Sequence, residues 1–286
     1  MNEREQLIET VTRKVLQALQ PNPGDRCPDC TGNCAAHCSD KVRATVAAGA
    51  SKVTYQGEGA RVPADLARFI DHTILKPDAT AADIDRFCAE ARQHGFAAVC
   101  VNPVWVKRAA QNLRGSDVKV ASVVGFPLGA HTTEVKVLEA RRALRDGARE
   151  IDMVLNVGAL KNRDHELVKQ DIGRVAEACH EVGAVCKVIL ETGLLTDEEK
   201  VIASRLSRAA RADFVKTSTG FGPGGATVYD VALMREAVGP EMGVKASGGV
   251  RSAEQARELV EAGASRIGAS AGVQIVSGKE GAGGRY

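Results

Sequence analysis

The stretch Asp213-Phe214-Val215-Lys216-Thr217-Ser218-Thr219-Gly220 is a short apolar run that ends in a lysine and small hydroxyl residues. A second stretch, Gly243-Val244-Lys245-Ala246-Ser247-Gly248-Gly249, has the same order of residue types. A charged lysine inside a buried strand costs several kcal/mol. Each lysine therefore either reaches from the strand end to solvent or lies in the interior for a chemical reason. The repetition favours the second interpretation.

Both stretches belong to a longer pattern in which short apolar runs alternate with helical periods. Such alternation is typical of βα units around a parallel sheet. The predicted strands cover residues 67–75, 97–103, 119–126, 150–157, 185–191, 213–219, 243–248 and 266–269. The predicted helices cover residues 81–94, 133–145, 166–182, 197–210, 228–237 and 253–261. Eight strands predict an α/β fold of the (β/α)8 TIM-barrel type. A doubly wound open sheet is the alternative, but no glycine fingerprint follows the first strand.

The composition excludes several classes of function. The chain has 286 residues, with 38 basic and 36 acidic side chains and a formal net charge of +2. No basic block interleaved with aromatic residues is present, which argues against a nucleic-acid surface. No apolar run reaches the roughly 18 residues that a membrane span needs, and the charged N-terminus is not built as a signal peptide. We therefore expect a cytoplasmic protein that acts on a small molecule.

Polar side chains fall on the predicted strands and at their carboxyl ends, the end that forms the active sites of TIM barrels. They are Asp71, Cys100, Asp152, Lys187, Lys216 and Lys245. Lysines on two neighbouring strands have a chemical use, because the cation of one disfavours protonation of the other and leaves a nucleophilic amine. Such an amine forms imines with aldehydes.

The roles of the other polar residues are less determined by the pattern. Asp152 has two possible roles. It is either a site carboxylate, which activates a water or balances the lysines, or a structural ion-pair partner. The same two roles are open to Asp71. Lys187 is either another charge of the site or a partner for Asp152 and Glu191, and we favour the partner role. His72 follows Asp71 directly and should point to the opposite face of the barrel wall.

Glycine-rich turns after the last three strands predict an anion site. Gly248 and Gly249 follow the seventh strand, Gly220 follows the sixth, and Ser270 lies in a turn after the eighth. Glycines let backbone N–H groups approach a phosphate, and the loops after strands seven and eight form the common phosphate site of this fold. The alternative is that these glycines serve as tight turns alone.

The first 60 residues have a different organisation. Residues 1–20 show one apolar stripe at helical spacing, and Pro21, Pro23 and Gly24 end the pattern. Residues 21–60 read as a Cys-rich linker in front of a barrel domain at 61–278, with a tail at 279–286. The helix either packs on the barrel or acts as a docking peptide. Its composition resembles the encapsulation peptides of bacterial microcompartments, which would make shell or cargo proteins its partners.

The linker contains a cluster of thiols. Cys27, Cys30, Cys34 and Cys38 lie together with His37. Four thiolates, or three with a histidine, can bind zinc, and thiolates also hold iron–sulfur clusters. The spacing matches neither zinc ribbons nor the usual ferredoxin run, so exposed thiols or labile disulfides are the alternatives. A metal or redox sensor here would lie outside the catalytic domain.

From about residue 65 onward the chain resembles the deoxyribose-phosphate aldolases, a class I aldolase family. The matching segments are Phe214-Val215-Lys216-Thr217-Ser218-Thr219-Gly220, Val244-Lys245-Ala246-Ser247-Gly248-Gly249-Val250-Arg251, Glu150-Ile151-Asp152-Met153-Val154, Ile70-Asp71-His72-Thr73 and Val99-Cys100-Val101-Asn102-Pro103. The resemblance implies reversible cleavage of 2-deoxy-D-ribose 5-phosphate to acetaldehyde and glyceraldehyde 3-phosphate by a homodimer, with no cofactor for catalysis.

The resemblance also implies roles for individual residues. Lys216 would form the imine, Lys245 would lower the pKa of Lys216, and Asp152 with a water would transfer protons. Asp71 and Lys187 would support them. The substrate and its phosphate would contact Thr219, Gly220, Gly248, Gly249, Ser270 and Cys100.

Three features of this chain bear on that comparison. Ser270-Ala271 stands where many members have paired serines, and Phe221 stands where some have a lysine. In some members a terminal tyrosine reaches the site as a proton carrier. Tyr286, at the tip of a glycine-rich tail, either has that role or belongs to a free end.

Overall fold

The computed structural model describes residues 65–278, and these form a closed barrel of eight parallel strands in the order of the sequence. The strands are β1 (Ile70–Ile74), β2 (Ala98–Val101), β3 (Lys119–Val124), β4 (Glu150–Val154), β5 (Val185–Ile189), β6 (Phe214–Lys216), β7 (Gly243–Ser247) and β8 (Arg266–Ala269). The predicted TIM barrel is therefore confirmed. The helix at 1–20, the linker with its cysteines and the tail lie outside the described residues.

The helices surround the barrel. They are α1 (Ala81–His94), α2 (Val106–Asn112), α3 (Thr133–Asp146), α4 (Val157–Lys161), α5 (His165–His180), α6 (Asp197–Ala209), α7 (Val228–Val238), α8 (Ala253–Glu261) and α9 (Gly272–Ser277). Thr80 caps α1 with a capping box. Its hydroxyl accepts from the Asp83 amide, and the Asp83 carboxylate accepts from the Thr80 amide. The short helices α2, α4 and α9 were not predicted, since five to seven residues show too little of the helical period. Within the described residues no helix has the length and apolarity to cross a membrane.

Most strands are shorter than predicted. Residues 67–69 form a 3-10 turn instead of the start of β1, and β6 ends at Lys216 rather than at residue 219. The reason at β6 is side-chain competition for the backbone. The Thr217 hydroxyl donates to the Ser247 carbonyl at 2.9 Å and accepts from the Ser247 amide at 3.0 Å. The sheet ladder is thereby replaced by side-chain bonds where the active-site loops begin.

The two largest apolar clusters of the described residues are separated by the barrel wall. The larger core fills the space between strands and helices, with Val99 and Val101 of β2 among its members. The smaller core lies inside the barrel and contains Leu75, Ala98, Cys100, Ala121 and Val123. Alternation along β2 and β3 explains the division, because successive side chains point to opposite faces. The β2–β3 side of the barrel interior is therefore apolar.

Candidate active site

The remaining strands fill the barrel interior with charge. Lys216 pairs in register with Lys245, and Asp152 pairs with Lys187. Each of these four side chains is at most 2% exposed. The sequence placed these residues on four different strands, and the closed barrel brings their charged ends together.

Lys216, Lys245 and Asp152 form the centre of the cluster. The Nζ atoms of both lysines lie 2.8 Å from the same oxygen, Oδ2 of Asp152. Lys245 also donates to Oδ2 of Asp71. Asp152 thus bridges the two lysines, a position that fits both roles expected of it, charge balance for the lysines and structural ion pairing.

Lys187, Glu150 and Arg266 extend the cluster toward the amino-terminal ends of the strands. The Nζ atom of Lys187 lies 2.8 Å from Oδ1 of Asp152 and 2.6 Å from Oε2 of Glu150. Arg266 Nη1 lies 2.7 Å from Oδ1 of Asp71 and 3.0 Å from Oε2 of Glu150. The expected partnership of Lys187 with Asp152 is confirmed.

The two lysines at the centre have opposite shifts in pKa. Burial lowers the pKa of Lys216, the Lys245 cation lowers it further, and Asp152 opposes both. Lys245 is equally buried, but Asp152 and Asp71 overcome the burial and raise its pKa well above the usual value. Despite its own burial, Asp152 has a pKa well below its ordinary range because of Lys187, Lys216 and Lys245. Of these two lysines, Lys216 is therefore the one that loses its proton more readily.

Cys100 faces this cluster from the apolar side. Burial raises the pKa of its thiol, and the Asp152 charge adds to that effect. Cys100 is thus a neutral, fully buried thiol beside the lysines. His72 lies on the other face of the wall, as expected, where it stacks on Phe87 and contacts Glu90 at 2.6 Å.

The predicted partnership of Lys187 with Glu191 is wrong. Strand β5 ends at Ile189, and Glu191 has a left-handed backbone with φ of 57°. This turn directs the Glu191 carboxylate to Thr219, whose hydroxyl donates to it and whose amide lies 3.3 Å away. The Thr219 hydroxyl also accepts from the amides of Phe221 and Gly222. Glu191 and Thr219 together fix the loop that follows Lys216.

The glycine loops stand at the same mouth of the barrel. Gly220, Gly248 and Gly249 all have φ between 83° and 94°, a conformation that other residues rarely adopt. Gly249 is exposed and has open space where a side chain would be. Ser270 is half-buried in the turn after β8. The sequence did not single out Ser218, whose buried hydroxyl has no hydrogen-bond partner in the described part of the chain and lies beside Gly248.

A cavity of about 110 Å³ opens at the mouth beside these loops. Its walls are mostly apolar, with Glu191 and Thr219 as the polar members. Leu128, Leu194 and Phe221 form its exposed rim. Val154 lies in its wall two residues after Asp152 on β4, which connects the cavity to the charged cluster below.

Metal-binding potential is absent from the described residues, where no group of three or more His, Cys, Asp or Glu side chains could hold an ion. The predicted thiol site at Cys27, Cys30, Cys34 and Cys38, and the predicted role of Tyr286, fall outside that part of the chain.

Three comparisons with known proteins identify the family to which the chain is similar. Residues 66–279 match the model of the family described as DeoC/LacD family aldolase. The chain is 64% identical to the deoxyribose-phosphate aldolase of Thermococcus kodakarensis over 216 residues, 75% of this chain and 96% of the relative. It is 62% identical to that of Brevibacillus brevis over 219 residues, 77% of this chain and 98% of the relative. A solved deoxyribose-phosphate aldolase from Aeropyrum pernix, described as tetrameric, has a TM-score of 0.71 and 38% identity over 75% of this chain and 91% of its own.

Proposed function

Because the chain belongs to the DeoC/LacD family of aldolases, we propose that it reversibly cleaves 2-deoxy-D-ribose 5-phosphate to acetaldehyde and D-glyceraldehyde 3-phosphate through an imine on Lys216. The observation that carries this proposal is the lysine pair on Asp152, in which Lys216 has the lowered pKa and Lys245 the raised one. Schiff-base formation needs an amine that loses its proton readily, and burial beside another cation is one way to obtain it.

The reaction begins at the aldehyde carbon of the open-chain sugar. The neutral Nζ of Lys216 attacks C1, and loss of water gives an iminium ion. Removal of the proton from the C3 hydroxyl breaks the C2–C3 bond and releases glyceraldehyde 3-phosphate, and the electron pair of that bond forms an enamine on Lys216. Protonation of C2 and hydrolysis then release acetaldehyde and restore the amine. Asp152, through a water, is the proposed proton carrier.

Lys245, Asp71 and Lys187 support these steps without bonding to the substrate carbon. Lys245 remains charged and disfavours protonation of Lys216. Asp71 and Lys187 hold Lys245 and Asp152 in position through the contacts described above. Cys100 contributes a neutral wall to the site where the acetaldehyde part is bound.

The imine is tested by reductive trapping. Incubation with acetaldehyde and sodium cyanoborohydride should add one ethyl group to Lys216, which peptide mass spectrometry locates. The variant Lys216→Arg should show no adduct and no cleavage of the sugar phosphate. The matched control Lys161→Arg changes an exposed lysine and should be trapped like the wild type. An unmodified Lys216, or activity retained in Lys216→Arg, would refute the proposal.

For the phosphate, we propose the amides of Gly220, Gly248 and Gly249 and the hydroxyl of Ser270. Both donors of Thr219 are used within the protein, so Thr219 contributes by holding the loop. Ser270→Ala should raise KM for the phosphorylated sugar several-fold and leave KM for unphosphorylated deoxyribose unchanged. Equal changes for both substrates would argue against this assignment.

Tyr286 is proposed to carry a proton to or from C2 of the enamine. Protonation of C2 needs an acid, and the phenol of Tyr286 in its glycine-rich segment is a candidate. Tyr286→Phe should slow exchange of the acetaldehyde methyl protons with deuterated water more than it slows imine trapping. An unchanged exchange rate would remove the residue from the mechanism.

The segment in front of the barrel suggests a second function, in targeting. The family match starts at residue 66, and the relatives are covered almost completely by the barrel alone. We propose that residues 1–20 dock the enzyme to a microcompartment shell or cargo protein. Deleting 1–20 should abolish co-purification with shell particles while kcat is unchanged, and a fluorescent protein fused to residues 1–20 should co-purify. Loss of kcat, or no co-purification, would contradict it.

For the cysteine cluster we propose that Cys27, Cys30, Cys34 and Cys38 bind zinc or an iron–sulfur cluster that serves regulation and not the aldol chemistry. Elemental analysis of the full chain should find stoichiometric metal, which Cys30→Ser should remove without loss of trapping at Lys216. A metal-free wild type would refute this assignment.

The oligomeric state is proposed as a homodimer, although the Aeropyrum pernix relative is described as tetrameric. Light scattering on the full chain distinguishes the two.

A further inference from the structure

Among the described residues, the barrel interior holds more cationic side chains than carboxylates. Its charged side chains are Asp71, Glu150, Asp152, Lys187, Lys216, Lys245 and Arg266. Three are carboxylates and four are cationic types, so one positive charge would be unbalanced if all seven were ionised. Unbalanced buried charge is costly, and a titratable group normally gives it up.

The contacts identify which cation is in excess. Lys245 contacts Asp71 and Asp152, and Lys187 and Arg266 each lie within 3.0 Å of two carboxylates. Among the described residues, Lys216 has one carboxylate partner, Asp152, whose Oδ2 it shares with Lys245.

The other groups around Lys216 do not change this count. Strand β2 presents the neutral thiol of Cys100, and β3 presents Ala121 and Val123. Above the site, the Glu191 carboxylate is bonded to Thr219 on the loop after β6. The charge balance is therefore decided inside the barrel.

We propose that Arg266 and Glu150 are positioning residues that keep Lys216 neutral. Together they set the balance of buried positive and negative charge, in which Lys216 is the surplus cation. The proposal rests on the imine function of Lys216. Neither residue is in ion-pair contact with Lys216, since both begin their strands whereas Lys216 ends β6. They act through Asp71 and Lys187, which connect them to Lys245 and Asp152.

The proposal predicts opposite effects for the two residues. Arg266→Gln leaves three carboxylates and three lysines, so the buried charges balance only when Lys216 is protonated. The pKa of Lys216 should therefore rise. Glu150→Gln leaves two carboxylates and three cations besides Lys216, so protonation of Lys216 becomes less favourable still. The double variant restores the surplus of one cation and should behave like the wild type.

The experiment measures the initial rate of cyanoborohydride trapping of acetaldehyde on Lys216 as a function of pH. The midpoint should move up by about one pH unit in Arg266→Gln and down by about one in Glu150→Gln, and should return in the double variant. Arg266→Lys keeps the charge and should leave the midpoint near the wild-type value. The surface control Arg108→Gln removes an exposed cation bonded to Asp85 and should shift nothing.

The outcomes separate this inference from the proposed function. Shifts in the same direction, or no shift in folded and trappable variants, would overturn the roles of Arg266 and Glu150 while the imine stands. Absence of trapping in the wild type would overturn the imine itself. If Arg266→Gln does not fold, the direction of the shift in Glu150→Gln decides alone, because a downward shift is required and an upward one contradicts the charge balance.

Discussion

Two buried lysines on opposite sides of the barrel wall differ in how their charges are matched. Lys136 on α3 lies outside the barrel, where its Nζ is 2.5 Å from Oδ2 of Asp171 and 3.0 Å from the carbonyl of Val154. Both side chains of that pair are at most 2% exposed. Lys216 is equally buried inside the barrel, but it shares its one carboxylate with two other lysines.

Burial is common to both lysines, and the number of carboxylates available to each is what distinguishes them. Lys136 is matched one to one with a carboxylate and joins α3 to α5 and to the end of β4. Lys216 belongs to a set with a surplus cation, and the surplus favours a neutral amine. A buried lysine is therefore a candidate nucleophile when the carboxylates around it are too few, and a structural link when they suffice.

Replacing the unmatched lysine should give the largest effect on turnover. Lys216→Met removes the nucleophile, and kcat should fall by roughly 10⁴-fold or more. The same change removes a surplus buried amine and leaves Asp152 with Lys187 and Lys245, so the free energy of unfolding at neutral pH should not decrease. Steady-state kinetics and urea unfolding measure the two quantities. A large loss of stability would contradict the surplus-charge interpretation.

The pH dependence of stability gives the sign of this effect. The pKa of Lys216 is lowered in the folded state, against about 10.4 in an unfolded chain. Between these two values the unfolded chain binds more protons, so the contribution of Lys216 to stability rises with pH. Its unfavourable contribution is fully present below the lowered pKa and disappears as the pH rises toward 10.4. When the free energy of unfolding of Lys216→Met is measured with urea at several pH values, it should lack this rise with pH.

Breaking the matched pair should affect folding but not chemistry. Lys136→Met leaves the Asp171 carboxylate buried without its cation, which costs about 3–5 kcal/mol. The double variant Lys136→Met/Asp171→Leu removes both charges and should recover most of that loss. In both variants the pH midpoint of Lys216 trapping should equal that of the wild type. A shifted midpoint would mean that the two sides of the wall are electrostatically connected.

A cation added at the mouth should have the smallest effect. Phe221 is 44% exposed on the rim of the cavity, well above the buried cluster. Phe221→Lys should lower KM for the phosphorylated sugar about two- to fivefold, the range of an exposed ion pair of up to about 1 kcal/mol. Phe221→Gln is the uncharged control. High salt should cancel the gain, and a salt-independent gain would point to lost packing against Phe126 instead.

Much of the fold follows from local patterns in the sequence. Strands β7 and β8 and the helices α1 and α8 lie within one residue of their predictions, because apolar periodicity and caps such as Thr80 are local signals. The start of β1 and the end of β6 do not follow from local patterns, since the 3-10 turn before β1 and the bonds of Thr217 to Ser247 depend on tertiary contacts.

The candidate site was predictable in its central residues and not in its surroundings. Lys216, Lys245 and Asp152 stand out as polar residues in apolar strands. Arg266 and Glu150 begin their strands and look like ordinary solvated ends, and only barrel closure shows that they bond to Asp71 and Lys187. The alternation of Glu150 with Asp152 along β4 was an available signal that both point inward.

The pairing of β1 with β8 has a consequence for how this enzyme acquires its activity. Asp71 meets Lys245 and Arg266 across separations of 174 and 195 residues, so these contacts form when the first and last strands join. Contacts between such distant segments form late and slowly in folding. A chain in which these two strands have not joined lacks the contacts of Asp71 with Lys245 and Arg266, which belong to the charged cluster around Lys216. We therefore expect Lys216 to reach its full rate of acetaldehyde trapping only after the barrel has closed, and pulse trapping during refolding would time that closure.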